Sequence, residues 1–240
     1  MVPVYLQMTL GLDALQTGIK IFPLSITLIL FSIVGTRLSR LWSPRRIVRW
    51  GQVILVASAL VVLGSVSLDL RSALFAGGMF FAGAGLGLLA SQLGNVNMSS
   101  VTERETSEVG GLQGVFQNLG SSLGTALIGS VLIGALSTSF VTGVAASDLP
   151  AAVRSAVSQA TQGGVAIVPA ASVDDIAAEA GLTASEGETL TRIYSESQVS
   201  SLRTAFFALI AIAVLSLLFS RGIPTEIAER ERRPGRAKTP

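Results

Sequence analysis

The 240-residue chain is half hydrophobic and only 13% charged, with a net charge of +2 and a mean hydropathy of +0.63, whereas charged residues make up about a quarter of soluble domains. It has neither cysteine nor histidine, which excludes disulfide frameworks, thiolate or imidazole metal sites and histidine acid–base catalysis. No base or paired carboxylate converges on a serine or tyrosine, so no catalytic set and no enzyme is expected.

The apolar residues fall into blocks of about 20, the length that crosses about 30 Å of hydrocarbon at about 1.5 Å per residue. The fold class expected is therefore all-α, a polytopic helical bundle with lipid as its solvent. The basic residues flank these blocks and do not interleave with stacking aromatics on a polar face, so nucleic acid is not an expected partner.

In chain order, residues 1–12 are apolar but about half as long as a span, lack the basic leader and small-residue cleavage site of a signal peptide, and end at the turn-like Gly11-Leu12-Asp13. They read as the tail of a helix. Spans are then expected at 15–36, 47–68, 72–95, 109–136 and 202–220, giving five full crossings after an N-terminal half-helix. Residues 1–136 thus hold the partial helix and four spans, 137–201 a connecting segment, 202–220 the last span and 221–240 a basic tail.

Lys and Arg counts orient the spans. Arg37, Arg40, Arg45, Arg46, Arg49, Arg104 and the six basic residues of the tail lie in connections of one parity, 12 against the 4 of Arg71, Arg154, Arg192 and Arg203. The first set, including the C-terminus, is expected in the cytoplasm of a cell whose plasma or inner membrane holds the chain. Segment 137–201 is then extracytoplasmic. It is rich in Ala, Ser and Gly and, from Asp148 to Glu196, has seven carboxylates against two arginines. A solvated loop with short helices is expected there, starting near Asp148-Leu149-Pro150 and Ser172, the second stopped by Gly181. An outer lid or a docking site for an accessory adaptor protein is the functional alternative.

Within the spans, Gly83, Gly87, Ser91 and Asn95 share a face of the third, and Gly110, Gly114, Gln117, Ser121 and Gly124 a face of the fourth, with Gln113 and Gly120 beside it. A glycine inside a helix is about 1 kcal/mol less favourable than alanine, so this density calls for close helix packing or for a sliding, bending surface. The amides Gln92, Asn95, Gln113 and Gln117 must face protein or a wet cavity, because an unpaired amide in hydrocarbon is strongly unfavourable. They are candidates for interhelical bonds or for a substrate pathway. Lys20, the one charge well inside a span, either snorkels to the headgroups or faces a pathway. Pro23 permits a bend. No Asp or Glu lies within a span, so a proton-carrying carboxylate is expected outside this chain.

Four stretches, in order, carry a family likeness: Pro3-Val4-Tyr5-Leu6-Gln7 with Leu10-Gly11-Leu12, Leu15-Gln16-Thr17-Gly18 and Phe22-Pro23; the basic loop from Arg37 to Arg46 ending at Gly51; Gly83-Ala84-Gly85-Leu86-Gly87; and Gly110-Gly111-Leu112-Gln113-Gly114 with Gln117 to Ala126. Together they resemble the C-terminal half of the QacA/EmrB-type drug:proton antiporters, the fourteen-span branch of the major facilitator superfamily. Leu41 and Ser43 depart from it, standing where the family often has a further basic residue and a glycine.

The resemblance implies a partial major facilitator fold in a multidrug efflux antiporter that exchanges small amphipathic substrates for protons. It would need no cofactor beyond the proton gradient and would work with an N-terminal transporter half missing from this chain. The alternative is a short, non-transporting membrane protein that associates through its Gly-rich helix faces.

Overall fold

The computed structural model describes residues 2–67, 72–98 and 106–220, and for 93–98 and 106–109 the backbone alone. Asp69, Arg71, Arg104 and the basic tail lie outside the described residues, as does the side chain of Asn95.

The half-helix is α1 (Val2–Val4), which runs into a π-helical turn at Tyr5–Thr9. Gly11, at φ +64°, turns the chain, a conformation that strongly favours glycine. Asp13 then caps α2 (Ala14–Leu38): its carboxylate accepts from Gln16 N at 2.7 Å, while Gln16 Oε1 accepts from Asp13 N at 3.2 Å. This reciprocal box satisfies two of the backbone donors that a helix start leaves open. α3 (Pro44–Ser65) starts on Pro44, whose missing N–H is no loss in a first turn.

α4 (Ser72–Met98), α5 (Thr106–Ala145) and α8 (Ala184–Phe219) complete the long helices, with the short α6 (Ala151–Ala160) and α7 (Ser172–Glu179) between the last two. All five long helices are long and apolar enough to cross a membrane, and the described residues contain no strand. The protein is an all-α polytopic membrane bundle.

Lipid contact explains the surface. On α2, Leu15, Ile19, Phe22, Ile26, Ile29 and Ile33 form one helical stripe, each 50–73% exposed, while Thr17, Thr27 and Gly35 on the opposite side are buried. In water this stripe would far exceed the apolar patch a monomer tolerates. In lipid it is the solvated face.

α4 sits between α2 and α3, α3 also contacts α8, and α8 runs beside the C-terminal half of α5. Tyr5 and Leu6 are fully buried in the core where α1 meets these helices, with Val62, Phe75, Leu132, Leu202 and Phe206. Tyr5 Oη donates to Ser67 O at 2.7 Å, tying the half-helix to the end of α3.

The connecting segment differs from the solvated loop expected of it. α5 continues past residue 136 to Ala145, and α8 begins at Ala184, long before residue 202. At about 1.5 Å per residue these 40- and 36-residue helices far outreach the hydrocarbon layer. They project as a hairpin because its seam goes on burying apolar surface: Leu136, Phe140 and Val144 meet Leu190, Ile193 and Tyr194, with Leu149, Val153 of α6, Val165, and Ala177 of α7.

The Phe140 and Tyr194 rings meet edge-to-face at 5.5 Å. Tyr194 Oη donates to Ala166 O at 2.8 Å and accepts from Val168 N at 2.9 Å, and Gln198 Nε2 donates to Val168 O at 2.9 Å. The extended strap 165–170 is thereby clamped to α8, and Ala170 N reaches Met8 O at 3.1 Å. Segment 137–201 is a packed helical cap with its own core. The helix starts expected near Pro150 and Ser172 are present, and Gly181, at φ +78°, follows the end of α7.

Candidate functional site

Five of the sequence-derived candidates converge on the seam between the parallel helices α2 and α4. Gly83, Gly87 and Ser91 recur every fourth residue along α4 and lie against Leu24–Thr27, Leu28–Ser32 and Gly35 of α2. A Cβ placed on Gly83 would overlap Thr27 Oγ1 and Leu24 O, and one on Gly87 would come within 2.9 Å of Ser32 N and 3.0 Å of Phe31 Cβ. The backbones approach this closely only because neither glycine has a side chain.

Pro23 lies in the same stretch of α2. It has no N–H to give the ladder, and its carbonyl accepts from Thr27 Oγ1 at 2.8 Å. Thr27 therefore fills the space opposite Gly83 and bonds inward to its own helix.

Gln92 is buried near the other end of the seam. Its Nε2 donates to Gly35 O of α2 at 3.2 Å and to Ser91 Oγ at 2.9 Å, and its Oε1 is buried without a partner. Of the two roles open to this amide, the structure displays the interhelical bond. Lys20 Nζ donates to Ser72 Oγ at 3.0 Å, reaching toward the first residue of α4 at the cap end of the bundle. That is the direction in which a lysine snorkels.

α4 carries a second close face toward α3. A Cβ on Gly85 would lie 2.8 Å from Gly51 O and one on Gly51 would lie 3.1 Å from Gly85 O, while Ser58 Oγ donates to Gly78 O at 2.9 Å. Both neighbours therefore hold α4 through glycine.

α5 has the same glycine density and the opposite environment. A Cβ added to Gly110, Gly114, Gly120 or Gly124 would meet nothing within 4 Å. Gln117 and Ser121 on that face are exposed, and so are Leu112, Phe116, Leu119, Leu123 and Leu127 on the other. Only from Ile128 onward, through Leu132 and Leu136, does α5 enter the cores. The packing expected of the α5 glycines is absent among the described residues, where a Cβ at any of the four meets no atom. Gln117 is accordingly not brought to the α2–α4 seam.

Arg37, Arg40, Arg45, Arg46 and Arg49 gather where α2 ends and α3 begins, at the opposite end from the cap. Arg37 lies in the last turn of α2, where a cation complements the helix dipole. Arg46 and Arg49 flank a groove with Trp50 and Val53.

A cavity of about 780 Å³ lies away from all these candidates, in the cap between α5 and α8. Asp148, Glu186, Arg192 and Glu196 line it with small polar residues.

Sequence reasoning passed over the cap's clamping residues Tyr194 and Gln198. It also missed the bond of Arg203, whose Nη2 donates to Val66 O at 2.9 Å, while the amide Gln52 links α3 to α8, its Nε2 donating to Ser216 Oγ at 2.9 Å. The i, i+4 pairing of Tyr194 with Gln198, in register with Leu190 and Leu202, was the available signal.

Glu186 makes the cap pH-sensitive. It accepts from Thr183 N at 2.8 Å and Thr183 Oγ1 at 2.7 Å, and these bonds hold its carboxyl below the usual range. A depressed folded-state pKa adds stability above the ordinary Glu pKa, about 4, and loses it as the pH falls through the depressed value. Amide-exchange protection of the first turn of α8 is therefore expected to fall on acidification into that window. Glu186→Gln should flatten the pH response.

The fold and site define a polytopic membrane bundle built around glycine-mediated helix seams, with the glycines of α5 from Gly110 to Gly124 left open among the described residues. The Major Facilitator Superfamily profile matches residues 1–125, and the chain belongs to that family, a class of membrane transporters. It is 27% identical over 128 residues to the multidrug efflux pump SdrM of Staphylococcus aureus, an alignment covering 53% of this chain and 28% of that protein. The matched stretch is thus well under half of the relative's length. No solved structure matches significantly.

Proposed function

We propose that the chain is the C-terminal part of a secondary active multidrug exporter that moves amphipathic compounds outward in exchange for protons. In this reading it works with an N-terminal half that supplies the opposite wall of the pathway and the proton-carrying carboxylate. The basic end faces the cytoplasm of a plasma or inner membrane, and the cap faces outward, as the arginine distribution favours.

The observation that carries the reading is the bare stretch of α5 within residues 110–127, where a Cβ on Gly110, Gly114, Gly120 or Gly124 meets nothing among the described residues and Gln117, Leu112, Phe116, Leu119, Leu123 and Leu127 are exposed. A glycine-rich face is built for close approach by another helix, and the similarity to an efflux pump indicates which kind of partner to expect. The apolar stretches 15–36, 47–68, 72–95, 109–136 and 202–220 hold no Asp or Glu, which favours placing proton handling in the other half.

Transport tests this directly. Proteoliposomes with the chain alone, and with the chain co-expressed with an N-terminal membrane half, are assayed for cationic dye flux under an imposed pH gradient. Flux that needs both parts and collapses with a protonophore is expected. Proton-coupled flux from the chain alone would overturn the division of labour.

The same bare face also suits a second copy of this chain, in a protein that associates without transporting. Stable homodimers with no flux in either preparation would favour that reading.

A further inference from the structure

The basic end holds a site of its own on α3. Arg46, Arg49, Trp50 and Val53 follow one another at i, i+3, i+4 and i+7, so they form a single stripe along two turns of the helix. Pro44, Ile47 and Gly51 are buried on the other side of these turns, whereas Arg46, Arg49, Trp50 and Val53 are all exposed. The four line a groove of about 320 Å³, and among the described residues no carboxylate lines it.

The order of these residues along the helix matches the layering of a membrane leaflet. Arg46 to Val53 covers about 10 Å at 1.5 Å per residue, enough to pass from the headgroup layer into the acyl chains. The guanidiniums come first, the indole of Trp50 lies at the depth tryptophan favours, and Val53 opens onto hydrocarbon. Guanidinium groups bind phosphate through paired N–H donors and stay charged at every accessible pH. Arg45 in the same first turns, and Arg37 and Arg40 across the short connection, add to the positive field.

We propose that the Arg46–Arg49–Trp50–Val53 groove is a binding site for one anionic phospholipid, its phosphate held by the two guanidiniums and its first acyl segment lying along Trp50 and Val53. A soluble phosphate would leave the apolar lower half of the groove unused. A zwitterionic lipid would bring its own cation against two arginines. The inference rests on membrane embedding and is independent of the transport reading.

Quenching of Trp50 tests it. The chain has two tryptophans, so the full chain carrying Trp42→Phe reports from Trp50 alone. It is placed in phosphatidylcholine nanodiscs containing the same minor fraction of either bromo-acyl phosphatidylglycerol or bromo-acyl phosphatidylcholine. Each arginine at the surface favours an anionic lipid about fivefold, so phosphatidylglycerol is expected to quench at a severalfold lower mole fraction.

In this background Arg46→Gln with Arg49→Gln should equalise the two lipids. Arg46→Lys with Arg49→Lys should keep part of the preference, and Arg37→Gln with Arg40→Gln should keep nearly all of it. Equal quenching without any arginine change overturns the proposal, and that comparison does not depend on how the variants fold. A preference that survives the Arg46/Arg49 change, or that falls equally with the Arg37/Arg40 change, also overturns it by showing that the attraction is diffuse.

Discussion

Leucine in place of Gly83 or Gly87 is expected to abolish the folded bundle, whereas alanine at Gly114 or Gly120 is expected to leave its thermal stability unchanged or slightly raised. Overpacking a close contact typically destabilises by about 1–3 kcal/mol when neighbouring side chains can shift. At Gly83 the first atom of any side chain would land on the backbone carbonyl of Leu24, and at Gly87 it would press on Leu28 O and Ser32 N. Backbone in a helix has no alternative rotamer, so α2 and α4 would have to separate.

Separation would also break the Gln92 to Gly35 bond, the amide's link to α2, leaving it only its bond to Ser91 within α4. On α5 none of these penalties arises, because a Cβ there meets nothing. Alanine is a better helix former than glycine by about 1 kcal/mol. Thermal unfolding of detergent-solubilised protein, followed by size-exclusion recovery after heating, distinguishes the two sets. Equal losses at Gly83 and Gly114 would contradict the packing described for both helices.

These two glycine clusters mark how far the sequence could be read. The apolar blocks, their punctuation and the turn at Gly11 were legible because each follows from local chemistry: hydropathy over a span's length, a φ > 0 position, a carboxylate ahead of a helix. The glycine pattern of α4 was legible for the same reason, since its partners α2 and α3 belong to the same chain. α5 repeats the pattern, yet a helix face carries no record of whether its neighbour lies in this chain or elsewhere. The sequence announced a contact surface, and only the structure separates the occupied surface from the bare one.

The cap was the part least legible. Its helices continue the spans without a break in register: Leu190, Ile193, Tyr194, Ser197, Ser201 and Leu202 keep one buried line into the membrane segment of α8. Small polar residues fill part of that line, and Glu186, Glu188 and Glu196 lie elsewhere on the helix, so mean hydropathy drops where periodicity does not. A reading led by hydropathy ends the helix there. Burial of Tyr194 against Phe140 and the clamp on the strap 165–170 keep it going.

The bare half of α5 carries the second large prediction. Because the chain has no cysteine, Ser121→Cys places a single thiol on the face shared by Gly110, Gly114, Gln117 and Gly124. If that face meets an N-terminal half, oxidative cross-linking in membranes is expected to join Ser121→Cys to cysteines scanned along that half, and to give little or no homodimer. Adding Gly114→Leu and Gly124→Leu should suppress the cross-link and dye export together. Two overpacked contacts at about 1–3 kcal/mol each correspond to a loss of association of at least about 30-fold, at 1.36 kcal/mol per decade.

The double leucine variant is expected to insert and to keep its heat resistance as an isolated chain, since a Cβ at either position meets nothing among the described residues. This separates the result from misfolding. Substituting Leu112 and Leu119 with isoleucine on the opposite side of the helix should leave cross-linking and export nearly intact. A strong Ser121→Cys homodimer that the leucines abolish would instead assign the face to self-association, and export unaffected by the leucines would remove α5 from the working interface altogether.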